Sequence, residues 1–151
     1  MRKEIQIGGQ TIELEANLGT ASFFQEFTGK NIFNISSEIA TKMKEAAEKA
    51  ARNKEIMNDQ NKIKFELLES GITEAVTEAV DVAKALAYIM NLQTKYGKTK
   101  EDIGKIRSEL TKDDLLAWEM NFSPDSFSFD TYKNLMSFWK RQTETTSSEK
   151  N

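Results

Sequence analysis

Between positions 72 and 92 the chain reads ITEAVTEAVDVAKALAYIMNL. Apolar residues recur in steps of three and four: Ile72, Ala75, Val76, Ala79, Val80, Ala83, Leu86, Ala87, Ile89 and Met90. Polar residues keep to a narrower track of Thr73, Glu74, Thr77, Glu78, Asp81, Lys84, Tyr88 and Asn91. That period belongs to a helix with a wide apolar face. A helix greasy over so much of its circumference must be covered on more than one side. The pattern therefore predicts a central helix with the other elements packed round it.

Other periods flank it. Glu4-Ile5-Gln6-Ile7 alternates, and so does Thr11-Ile12-Glu13-Leu14-Glu15, with Gly8-Gly9 between them. Two glycines allow the positive φ angles of a tight hairpin turn, which puts Ile5, Ile7, Ile12 and Leu14 on one face. A two-stranded hairpin is marginal by itself, so that face is expected to lie on helices. Asn17 or Thr20 can cap the next helix, Phe23, Phe24 and Phe27 mark its buried side, and Gly29 suits its C-terminal stop.

The stretch 38–69 reads as a long charged helix with a thin apolar line: Ile39, Met43, Ala46 or Ala47, Ala50, Met57, Ile63 and Leu67. The line weakens around Arg52-Asn53-Lys54, where the helix is expected to be solvated, or broken near Asn58-Asp59. A solvated face is the plain reading of this segment. An arm that packs on a partner or a second copy is the functional one. Gly71 either separates it from the central helix or marks close backbone packing. Thr111-Lys112-Asp113-Asp114 resembles a capping box opening a helix with Leu115, Leu116 and Trp118. Ser123-Pro124 suits a helix start, and Asp130 offers a second one, before the apolar face of Tyr132, Leu135, Met136, Phe138 and Trp139. The end, 143–151, has no apolar residue and is expected to be disordered. The expected fold is mainly α: one helical domain over 1–142, with a central apolar helix and a small N-terminal β-hairpin.

Composition narrows the chemistry. The 151 residues suffice for a core without staples. The net charge of −3 supplies no overall basic field for nucleic acid or anionic lipid. Cysteine is absent, which fits a reducing cytoplasm. Histidine is absent too, which excludes Ser-His-Asp triads, Cys-His dyads and the usual zinc ligand sets. Asp113 with Asp114, Glu74 with Glu78 and Glu101 with Asp102 are the adjacent acids. Each pair has polar neighbours, with nothing apolar placed to raise a pKa for work at neutral pH. Gly97-Lys98-Thr99 has the ending of a P-loop, but Leu92 stands where the motif needs glycine and no strand precedes it. No catalytic residue, metal site or cofactor is expected. The opening MRKEIQIGG lacks the apolar run of a signal peptide, and no stretch is long and apolar enough to span a bilayer, so a cytosolic protein is expected. Aromatics concentrate at Phe23, Phe24, Phe27 and Phe33 and again around Trp118, Phe122 and Trp139. Most belong to a core. A domain of this size need not bury all of them, so some of these seven are candidates for an apolar partner-binding patch.

Several stretches together resemble a known family. IGGQTIELEANLGTASFFQEFTGKNIF, AKALAYIMN, LLAWEMNF and NLMSFWKRQ resemble the tail assembly chaperones of siphophages and related prophages of Gram-positive bacteria. The resemblance covers both ends and the central helix and leaves 38–69 uncovered. It implies a non-enzymatic protein of the bacterial host cytoplasm, absent from the mature virion. Such a protein binds the long, aggregation-prone tape measure protein and keeps it soluble while tail tube subunits assemble round it. It implies no catalytic residues. The matching positions Leu18, Gly19, Phe27, Gly29, Ile32, Phe33, Tyr88 and Met90 read as architectural first and partner-contacting second. The family also implies a longer, frameshifted form that meets the tail tube protein, and Glu149-Lys150-Asn151 permits a slippery A-AAA-AAC codon run. A homo-oligomer is compatible with this reading. The alternative is a structural tail or connector adaptor that stays in the particle.

Overall fold

The computed structural model describes residues 2–54 and 61–149, with side chains described for 2–49 and 71–141. β1 (Arg2–Ile7) and β2 (Gln10–Glu15) form a two-stranded antiparallel sheet in which Ile5 faces Ile12. Gly8 and Gly9 turn the chain with φ of 57° and 80°, the paired positive angles of a type I′ turn. The expected face forms: Ile7 and Leu14 are buried, and Ile5 and Ile12 are partly buried against the core.

Six helices follow among the described residues: α1 (Gly19–Thr28), α2 (Ile32–Lys54), α3 (Asn61–Lys95), α4 (Lys100–Glu109), α5 (Lys112–Glu119) and α6 (Phe129–Glu149). The fold is mainly helical with an N-terminal hairpin, as expected. α3 is its centre and touches β2 and all five other helices. From Val82 to Gln93 only Lys84 and Asn91 escape full burial. Ala79, Ala83, Leu86, Ala87, Ile89 and Met90 have no exposed surface. The alanines let neighbouring backbones approach, and the larger residues fill the gaps between them. Tyr88, placed on the polar track by its hydroxyl, is buried instead. Its ring packs between Phe27 and Trp118, and its hydroxyl donates to the Glu109 carbonyl at 2.7 Å. A tyrosine buries readily once its O–H has a partner.

The charged stretch is not a single helix. α2 starts earlier than expected, at Ile32, and α3 starts at Asn61 and runs through the central segment. α2 packs along α3, and Lys42 Nζ meets Glu78 at 2.9 Å. The pair must be antiparallel. A parallel one would need the chain to return the length of α2, about 34 Å, in seven residue steps that reach about 25 Å. The expected break near Asn58-Asp59 lies outside the described residues, as do the side chains of Ala50, Met57, Ile63 and Leu67. Gly71 sits inside α3 with open space beside it, so it neither breaks the helix nor marks close packing.

Other boundaries also moved. Neither Asn17 nor Thr20 occupies the N-cap of α1. Leu18 does, without a side-chain cap, while Gly29 stops the helix at φ 73° as expected. Thr111 caps α5 by accepting from the Asp114 N–H. Pro124 opens a turn rather than a helix: the Ser126 N–H donates to the Ser123 carbonyl at 3.0 Å. α6 starts at Phe129, where Ser128 and Thr131 cap each other's backbone N–H reciprocally. α6 then reaches Glu149, where disorder was expected from position 143. A helix already anchored by Leu135, Met136, Phe138 and Trp139 extends without a second nucleation step.

Candidate binding groove

Between the end of β2 and the start of α1 the chain runs through Ala16, Asn17 and Leu18. A buried polar network ties this segment to α3. Thr20 Oγ1 donates to Gln93 Oε1 at 2.7 Å, Gln93 Nε2 donates to Asn17 Oδ1 at 2.9 Å, and Asn17 N–H donates to Thr20 Oγ1 at 3.2 Å. Asn17 Oδ1 also accepts from the Gly19 N–H at 2.9 Å. Thr20 and Gln93 are buried, so the bond between them is made where water cannot replace it, while the bonds to Asn17 are part-buried.

α4 forms the opposite wall. Thr99 and Asp102 make a full capping box at its start, a feature hidden in what read as a lysine-rich loop. The Thr99 hydroxyl donates to the Asp102 carboxylate at 2.7 Å, and this bond holds the carboxyl below the usual range. Arg107 forks onto Glu26 of α1 through Nε and Nη2 at 3.0 and 3.1 Å, a bidentate clasp across the gap. Lys98 stands 3.9 Å from Glu15.

Between these walls lies an open-sided groove of about 520 Å³. Its lining is mostly apolar: Ala16, Leu18, Phe23, Ile103 and Ile106. Leu18 stands at the lip with half of its surface exposed. Glu15, Lys98 and Arg107 supply the charged groups of the lining.

The seven aromatic candidates do not form one surface. Phe23 reaches the groove and is otherwise buried. Phe24 and Trp139 are each 1% exposed and belong to the core. Phe27, Trp118 and Phe122 are partly buried in a run of rings through Tyr88 and Phe127, with Trp118–Phe122 centroids 4.8 Å apart. Phe33 alone of the seven is well exposed, lying 5.0 Å from the Trp139 ring. Leu116 and Met120, one turn apart around the end of α5, are exposed apolar side chains; Leu116 was read as part of that helix's apolar set, and Met120 was not singled out. The sequence reading also missed Ile103, Ile106, Lys98 and Arg107 as site residues. The Thr99-x-x-Asp102 spacing could have marked the start of α4, but nothing in the sequence marked these four as groove residues.

The resolved titration shifts all move away from neutrality. Burial pushes Tyr88 up to about 12 and also raises Tyr132. A hydrogen bond to Glu109 raises Tyr96, and one to Glu78 raises Lys42. Among the described residues no group of three or more acidic side chains is placed to hold a metal, and no helix is long and apolar enough to cross a membrane. The arrangement offers apolar surface between fixed walls. Comparison with protein-family models, with curated proteins and with solved structures found no match.

Proposed function

We propose that this chain is a tail assembly chaperone of a siphophage or prophage, which binds the tape measure protein, keeps it soluble and promotes tail tube assembly. The observation that supports the reading is the open apolar groove with half-exposed Leu18 at its lip. A tape measure chain presents repeated apolar helical surface, and helix-in-groove docking is how a small helical protein covers such surface. The groove walls are held by a buried network and an arginine fork, so a partner meets a surface already in shape. The family resemblance, carried by LGTA, TGKNIF and AYIMN, supports the same reading and gives it its biological setting. In that setting the protein acts in the host cytoplasm, without a cofactor, and a longer frameshifted form carries the contact to the tail tube protein.

Co-expression tests the proposal. A tape measure protein of the same phage or prophage is expected to be insoluble alone, and soluble and co-purifying when the two are made together. No gain in solubility and no co-purification would overturn it. Mass spectrometry of purified particles separates it from the adaptor alternative: a chaperone is expected to be absent, and its stoichiometric presence would favour a structural component.

A further inference from the structure

We draw no further inference here: the strongest candidate, the open apolar groove between the β2–α1 segment and α4, belongs to the site already described, its lining cations Lys98 and Arg107 are already paired with Glu15 and Glu26, and nothing in the structure shows what fills it.

Discussion

Ala83 has no exposed surface and lies on α3 where the other elements converge. Ala83→Asp would put a carboxylate into that contact with no partner. An unpaired buried charge costs at least about 3–5 kcal/mol, a large part of the stability of a domain this size. The expected result is an unfolded or molten chain by near-ultraviolet circular dichroism. A folded variant that merely lost its partner would move this helix out of the core. Tyr88 gives a pH signature. Burial raises its folded-state pKa to about 12 from an ordinary value near 10. The unfolded chain therefore loses this proton first. The stabilisation is fully present below about pH 10 and is lost as pH rises towards 12. Tyr88→Phe should be less stable at neutral pH by about 1 kcal/mol, for the lost bond to the Glu109 carbonyl. It should also show a shallower fall in unfolding free energy between pH 10 and 11, with Tyr96 and Tyr132 supplying the remaining slope. Parallel curves for the two proteins would show that Tyr88 is not the titrating group.

Among the elements, α4 joins local stability most directly to the proposed groove. Its N-terminus is held by an exposed capping box and its other end by the Arg107 fork. Thr99→Ala should cost about 0.5–2 kcal/mol. It should speed amide exchange in the first turn of α4 while leaving exchange in the middle of α3 unchanged. Equal acceleration in both would mean that α4 does not open separately. This helix is also where the sequence was least readable. Lysines at 95, 98, 100 and 105 make the region look like solvated loop, and two isoleucines are too few to raise a period. The hairpin was readable because Gly8-Gly9 separates two alternating runs. The central helix was readable because its apolar residues cover most of its circumference. The 38–69 stretch was readable as helical, and its apolar line weakens around Arg52-Asn53-Lys54, but charge alone does not give the bounds or the antiparallel course of the two helices α2 and α3. The groove was not readable at all. Its walls come from 15–23 and 93–107, and only the folded chain brings them together.

At the scale of the molecule, the hairpin ties distant parts of the chain. Arg2 reaches the Thr94 carbonyl at 3.1 Å, Asn91 Nδ2 donates to the Glu13 carbonyl at 3.0 Å, and Gln10 donates to the Asn121 carbonyl at 2.5 Å. The turn itself sits on the α5–α6 connection, where a Cβ added at Gly8 would overlap Ser126 Oγ. Gly8→Ala should therefore cost about 1–3 kcal/mol, from the left-handed backbone and the overlap together. Gly9→Ala, with φ of 80° but open space, should cost only about 1 kcal/mol. Equal melting temperatures for the two variants would mean that the turn is not seated as described. This placement also has a consequence for synthesis. The ribosome makes the two strands before their anchors at 91, 94, 121 and 126. A sheet of two strands has two open edges, and until those anchors emerge both are available to other nascent chains. Arg2, Lys3, Glu4 and Glu13, all exposed on those strands, are the kind of charged side chains that discourage intermolecular pairing while the hairpin waits.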